Sequence, residues 1–418
     1  MADRQRIVVT GNGLMTAVGV GVPATWDGIA RGISGIGLIT MFDHSRCKAH
    51  VAGEVKNFDA TQYGFTARDT QRYDRGVLLG VAAGVEAVRS SGIDFATRGH
   101  NEDVCCMFGT GIGGIMKIES TVRIMAAEGP GRVTPFLVPS GTPEVTSHTV
   151  MMQFGLHGVS MGVNTACASG NDAILMACRR LQQGPEVVAI AGGNDASVGM
   201  LAIATFGNMK AISTWDGDGN PTRISRPFDK RRDGFVLAEG AGALVLETLE
   251  HAKARGARIL AEIVGGGQTT DAYHITAPEP SGTYIARAIT DALSDARIAP
   301  DQIDYINAHG TSTEYNDLIE TRAIKKVFGP HAYKLCVSST KSMTGHLIGG
   351  CGGVEAALCV KAIQTGIIPP TINYEVPDEE MDLNYVPNSA QERPVSYAMS
   401  NNFGFGGHNT VLIFKKFS

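Results

Sequence analysis

Val163-Asn164-Thr165-Ala166-Cys167 leads into a helical stretch with Ile174, Leu175, Cys178 and Leu181 on one face, stopped by Gly184 and Pro185. The same plan recurs later in the chain. Val337-Ser338-Ser339-Thr340-Lys341 leads into a helical stretch over 347–364, stopped by Gly366 and Pro369. Working outward, the preceding units also match. Residues 74–91 read as an apolar-periodic helix, followed by Ile93-Asp94 and a strand ending in Gly109-Thr110-Gly111. Residues 282–296 read as another, followed by Ile303-Asp304 and a strand ending in His309-Gly310-Thr311. Such self-similarity predicts one βα-rich unit used twice, with the halves meeting near 250–260. Halves of this kind pack face to face, so their strand ends converge on one crevice, where open α/β sheets bind ligands.

The remaining pattern agrees with an α/β class. Short β-rich runs at 7–10, 104–108, 187–191, 243–247, 259–264, 303–308 and 411–414 alternate with longer apolar helical stretches. The polar residues before Ile7 lead directly into the first strand, which Gly11 is expected to end. That run is too short for a signal peptide, and no stretch reaches the roughly 18 apolar residues of a membrane span. The 418 residues carry 36 Lys+Arg against 41 Asp+Glu, a net charge of −5, so nothing global draws the chain to nucleic acid or an anionic membrane. The basic run over 226–232 is interrupted by Asp229 and reads as a salt-bridged stretch. The eight cysteines form no paired zinc-ligand spacing, which suits reduced thiols in a cytoplasmic protein.

Cys167 stands out among those eight. It sits at a strand-to-helix junction between small residues, where a helix N-terminus favours the thiolate. Cys105, Cys106, Cys178 and Cys359, within strands or on helix faces, read as buried packing residues. His309, in Asn307-Ala308-His309-Gly310-Thr311-Ser312-Thr313, directly follows a strand. His346, in Lys341-Ser342-Met343-Thr344-Gly345-His346, occupies a glycine-bounded turn. Imidazoles there can donate to a developing oxyanion or move protons, and Lys341 could add charge to the same site. Gly404-Phe405-Gly406-Gly407 is a turn able to aim N–H groups at an oxyanion, or simply a turn with a packed aromatic. The glycine clusters at 11–13 and 109–114 lack the rest of a dinucleotide fingerprint, and a nucleotide site is rejected.

Taken together these motifs, with Arg226-Pro227-Phe228-Asp229, Arg232-Asp233-Gly234-Phe235 and Asn402-Phe403-Gly404-Phe405-Gly406-Gly407, closely resemble the elongating β-ketoacyl-acyl-carrier-protein synthases, nearest the synthase II branch. The resemblance covers essentially the whole chain. It implies a duplicated thiolase-like fold in five layers, αβαβα, with residues 1–255 carrying the nucleophile, residues 256–418 carrying both histidines, and a homodimer.

It further implies that Cys167 accepts an acyl group from acyl carrier protein. His309 and His346 then serve decarboxylation of malonyl-carrier protein, and the carbanion attacks the Cys167 thioester, extending a fatty acid by two carbons. The N–H groups of Cys167 and Phe405 would form the oxyanion hole, and Lys341, paired with Glu320, would hold the site's electrostatics. Thr311 and Thr313 match pantetheine contacts, Phe405 a gate, and Ile112 and Phe206 the acyl-pocket wall. Asn307, Glu355, Ser400 and Asn401 match a structural monovalent-cation site of some relatives; no organic cofactor is implied. Arg68, Arg72 and Lys210 are candidates for a basic patch facing acidic carrier protein.

Two positions depart from the pattern. Glu314 stands where relatives commonly have proline, placing a charge near the pantetheine mouth, and His408 follows the last glycine turn. Four rival readings compete with this one. An initiating enzyme would have asparagine in place of His346, and a thiolase would want a second catalytic cysteine near the C-terminus. A polyketide ketosynthase shares the cysteine and both histidines, and the absence of fused domains favours fatty-acid work. A chain-length factor, a non-catalytic partner, would generally lack the cysteine.

Overall fold

In the computed structural model, which describes residues 4–99 and 101–418, the ten strands of the main sheet follow an order that is a palindrome. From one edge they run Cys336–Ser338, Tyr305–Asn307, Tyr397–Gly404, His408–Lys415 and Ala261–Thr270. They continue Ile7–Met15, Glu239–Thr248, Val188–Ala196, Val104–Gly109 and Ser160–Val163. Numbered by appearance within each half, both halves read 1-5-4-2-3 outward from the centre. Strand directions match as well: the outer three strands of each half are parallel and the next two pairings antiparallel. The halves join through a short antiparallel ladder, Ile7↔Ile263 to Val9↔Ala261.

Alternation along the strands sends side chains into separate cores. In Val188–Ala196, Ala189 and Ala191 face the central core, while Val188 and Ile190 face an outer one beneath the Arg75–Ser91 helix. In His408–Lys415, Leu412 and Phe414 face the centre, while Val411 and Ile413 face the Thr283–Ala296 helix. The central core also takes in the helices Ser169–Gln183 and Cys351–Thr365. The layers are therefore helix, sheet, helix pair, sheet, helix: the thiolase-like αβαβα arrangement.

The two central helices touch through glycine. A Cβ on Gly352 would lie 2.2 Å from the Asn171 backbone nitrogen, and one on Gly170 would lie 2.8 Å from that of Gly353. Outer glycines act alike: Gly11 and Gly13 admit the backbone of Ala87 and Ala83, as Gly267 and Gly265 admit that of Ala288 and Ala292. The first strand therefore runs through Gly11 to Met15, where sequence alone had Gly11 ending it. Glycine here marks close packing instead of a stop. Other strands extend past their expected ends for the same reason, as Val188–Ala196 does through Gly192-Gly193. The helix expected over 347–364 begins only at Cys351, after a turn of helix over Lys341–Thr344 and another over Ile348–Gly350. Residues 1–3 of the expected polar lead lie outside the described residues. Among the described residues no helix is long and apolar enough to cross a membrane.

Candidate active site

Cys167 follows the Ser160–Val163 strand and precedes the Ser169–Gln183 helix, whose N-cap is Ala168. Ala166 adopts φ 51°, a left-handed conformation that costs a non-glycine residue energy and is characteristic of functional turns. Cys167 is thereby buried in a cluster with Phe206, Phe235 and Ile348. Thr165 N–H donates to Ser169 Oγ at 2.8 Å, and Thr165 Oγ1 donates to Asp172 Oδ2 at 2.5 Å, which fixes the turn. Burial pushes the Cys167 thiol up to about 12, while the Lys341 ammonium and the N–H groups of Phe405 and Cys167 pull the other way. The helix-dipole expectation of a resting thiolate is thus overridden by burial. Cys167 is therefore held as a thiol, and any reaction at its sulfur must remove that proton.

Two imidazoles stand beside it. Ligand atoms of Cys167, His309 and His346 all lie within 4.8 Å of one another. The imidazoles meet edge to face at 5.5 Å between centroids. Burial and the Lys341 charge hold both well below the ordinary histidine range, so both are neutral.

His346 is locked from several sides. Its N–H donates to Val236 O at 2.7 Å, its carbonyl accepts from Ala238 N–H at 2.9 Å, and the Phe235 ring meets its imidazole edge to face. Ile348 N–H donates to His346 Nδ1 at 3.1 Å. That nitrogen is therefore unprotonated, and the neutral ring carries its proton on Nε2, free to donate. The Cys351 thiol, 3.2 Å from the same Nδ1, can only donate there, while its sulfur accepts Leu347 N–H at 3.2 Å.

His309 is held through its backbone. Glu320, buried on the Glu314–Phe328 helix, accepts His309 N–H at 2.9 Å and Gly310 N–H at 2.8 Å. Asn401 Nδ2 donates to the same carboxylate at 3.1 Å. Lys341 was expected to pair with Glu320, but its ammonium bonds to Glu355. Glu355, on the Cys351–Thr365 helix, also accepts Asn402 Nδ2 at 2.6 Å. The reason is occupancy: both oxygens of Glu320 already accept backbone N–H groups. Burial opposes the Lys341 charge, but neighbouring Cys351 and Glu355 raise its pKa, so it remains an ammonium.

Phe405 begins the turn after the Tyr397–Gly404 strand. A Cβ on Gly404 would lie 2.7 Å from Thr165 O and 3.0 Å from Cys167 N, so glycine alone lets this segment reach the nucleophile turn. Phe206 and Cys167 belong to one apolar cluster with Phe235 and Ile348; Ile112 and Phe405 pack against it. Thr311 and Thr313 hydroxyls bond at 2.9 Å, and Thr313 also caps the Glu314–Phe328 helix. Glu314 is exposed at that helix start, and its carbonyl accepts from Arg232 at 2.8 Å. His408 opens the last strand, paired with Gly404.

Asn307 and Ser400 are adjacent in register, and Asn307 Oδ1 and Nδ2, Asn401 Oδ1 and Asn402 Oδ1 are buried without partners. Arg68 and Lys210 are exposed, whereas Arg72 stacks over Phe136 at 4.5 Å. Sequence reasoning missed Asp195. Its buried carboxylate accepts Gly111 N–H at 2.8 Å and Gly349 N–H at 3.1 Å, tying the loop of Ile112 to the loop after His346. Its place near the end of a central strand was the available signal.

A buried thiol, two neutral imidazoles and a buried ammonium at the junction of a duplicated thiolase-like fold define a condensing acyltransferase. The chain belongs to the β-ketoacyl synthase family: the N-terminal domain of that family matches residues 4–252 and the C-terminal domain residues 260–375. It is 46% identical over 415 residues to 3-oxoacyl-[acyl-carrier-protein] synthase 2 of Synechocystis sp., covering 99% of each chain. It is 44% identical to the Staphylococcus aureus protein of the same name over 417 residues, covering 100% of each. Among solved structures, a β-ketoacyl synthase from Burkholderia phymatum matches with TM-score 0.90 at 32% identity, over 99% of this chain and all of the other. The ishigamide ketosynthase/chain length factor matches with TM-score 0.92 at 35% identity, over all of both chains.

Proposed function

We propose that the chain elongates fatty acids as a type 2 β-ketoacyl-acyl-carrier-protein synthase, with Cys167 as acyl carrier. The observation that carries this reading is the convergence of Cys167, His309 and His346 within 4.8 Å. The Cys167 sulfur attacks the thioester carbonyl of acyl carrier protein as its proton passes to a neutral imidazole. The oxyanion forms against the N–H groups of Cys167 and Phe405, and the pantetheine thiol departs with a proton. Malonyl-carrier protein then loses carbon dioxide, and its enolate oxygen meets the Nε2–H of His346 and the imidazole of His309. The enolate carbon attacks the Cys167 thioester, the C–C bond forms as the C–S bond breaks, and the Cys167 sulfur leaves as a thiolate that takes a proton from water.

Lys341, held by Glu355, keeps the histidines neutral and steadies charge that develops on sulfur. Glu320 positions His309. Ile112 and Phe206 bound the acyl chain, Phe405 gates entry, and Thr311 and Thr313 receive pantetheine. Asn307, Glu355, Ser400 and Asn401 would hold a monovalent cation, a role supported by the unpartnered amide oxygens of Asn307 and Asn401. Exposed Arg68 and Lys210, with Arg72, suit an acidic carrier protein.

The homodimer is supported by the edge strand Ser160–Val163, with Met161 39% exposed on it, and by Met152, 70% exposed on the helix packed against it. Work in the cytoplasm is part of the same proposal. The higher identity to synthases of the type 2 name, against 35% to the ishigamide ketosynthase, favours fatty-acid over polyketide chemistry. The test is turnover with malonyl-carrier protein and a series of acyl-carrier proteins. Two-carbon extension of saturated acyl chains supports the proposal; activity confined to polyketone chains would replace it with the polyketide reading.

A further inference from the structure

The loop between the strands Ile36–Leu38 and Val51–Gly53 carries His44, Cys47 and His50 at three-residue spacing. Its shape is fixed at several points. Glu54 accepts Thr40 N–H at 2.8 Å, Thr40 Oγ1–H at 2.6 Å and Met41 N–H at 3.1 Å. His50 O accepts Ile39 N–H at 3.0 Å, His44 O accepts Cys47 N–H at 2.9 Å, and Asp43 Oδ1 accepts Ser45 N–H at 3.0 Å. The result is that Nδ1 of His44 and Nδ1 of His50 converge to 2.9 Å, with the rings tilted 56° and their centroids 5.1 Å apart. Each ring is oriented by its bond to the other, and among the described residues neither forms an ion pair with a carboxylate.

We propose that His44 and His50 form a two-imidazole chelate for a divalent late transition metal ion of the nickel or copper class. The ion replaces the proton the two nitrogens share, and the ring that carried it takes up a proton at Nε2 as it loses the one at Nδ1, so both ligands are neutral imidazoles. With metal–nitrogen bonds of about 2.1 Å, nitrogens 2.9 Å apart subtend roughly 90° at the metal. That is the cis angle of a tetragonal or octahedral ion, whereas a tetrahedral ion wants its ligands roughly 3.4 Å apart. Water completes the shell on the exposed side. Asp43 favours a cation there, and Arg46 and Lys48 on the same loop oppose one.

The site's position ties it to the catalytic half. Phe42 and Cys47 pack against, and Ala49 belongs to, the apolar cluster that holds Phe206 and Cys167, and Lys48 lies beside Gly207. A bound ion would brace this wall of the crevice from outside.

The experiment is calorimetric titration of the full-length Cys167→Ala protein with Ni2+, since intact Cys167, His309 and His346 could themselves take an ion. The expected result is one Ni2+ per chain, weakened about ten-fold or more by His44→Ala and by His50→Ala. Cys47→Ser is expected to leave affinity within about two-fold, because the chelate rests on the two imidazoles. No Ni2+ binding, or binding unchanged in both histidine variants, would overturn the site. Tighter binding of Zn2+ than of Ni2+ would overturn the tetragonal assignment.

Discussion

The carboxylate of Glu320 accepts the backbone N–H of His309 at 2.9 Å, so a fully buried acid holds the turn from which one catalytic-site imidazole projects. Burial pushes this carboxyl up to about 7, against the bonds from Gly310, Asn401 and His309. Only the carboxylate can accept both backbone N–H groups without turning a proton toward one of them. Activity is therefore expected to fall as pH drops through about 7. Glu320→Gln removes the titration and points an NH2 group at a donor, so kcat should drop about ten-fold or more and the acid limb near pH 7 should vanish. A pH series of kcat for both proteins checks this; an unchanged acid limb in Glu320→Gln contradicts it.

Lys341 and Glu355 form a fully buried ion pair. Removing one partner leaves the other charge unpaired, at about 3–5 kcal/mol. Lys341→Met alone should be strongly destabilised, while Lys341→Met with Glu355→Gln should regain most of that stability and remain inactive. Denaturant unfolding beside an activity assay separates the two effects, and recovery of activity in the double variant would show that the charge has no chemical role.

Glu247 is buried on the Glu239–Thr248 strand, bonded to His251, Arg255 and Thr10. Burial would push its carboxyl up, but Arg255, His251 and Thr10 override burial and hold it down at about 2. Because the folded pKa is below the unfolded one, its stabilisation is complete above about pH 4.5 and is lost as pH falls toward 2. The loss should reach about 2–3 kcal/mol. Unfolding midpoints at pH 6 and pH 3 should fall further apart in the parent chain than in Glu247→Gln; equal differences contradict the argument.

Gly352→Ala tests the crossing of the central helices. Its Cβ would meet the Asn171 backbone nitrogen at 2.2 Å, and backbone cannot step aside as a side chain can. The melting temperature should fall by several degrees, for a cost of about 2 kcal/mol or more. An unchanged melting temperature would mean the helices are not so close.

Much of this was legible in the chain. The repeated strand-to-helix units at Cys167 and Lys341 occupy equivalent positions in the palindrome, because periodicity and stop residues are local signals. Cys167 and His309 drew notice for the same reason, each in a short motif beside a strand end, and His346 drew notice in its glycine-bounded turn; the structure brings the three together. What escaped depended on distance in three dimensions. Gly11 looked like a breaker because the helix it admits is remote in sequence. The partner of Lys341 was misread because two acids could serve, and only the fold shows that Glu320 is already occupied. The state of the Cys167 thiol was misread because a helix N-terminus is visible in sequence and complete burial is not.

The account's central claim is that Cys167 carries the acyl group. The most direct test incubates the full-length chain with acyl-carrier proteins of graded chain length and maps the acylated peptide by mass spectrometry. One acyl group per chain on Cys167, absent from Cys167→Ala, is the expected result. An acyl group on any of the other seven cysteines, or an acyl-enzyme that persists in Cys167→Ala, would contradict it.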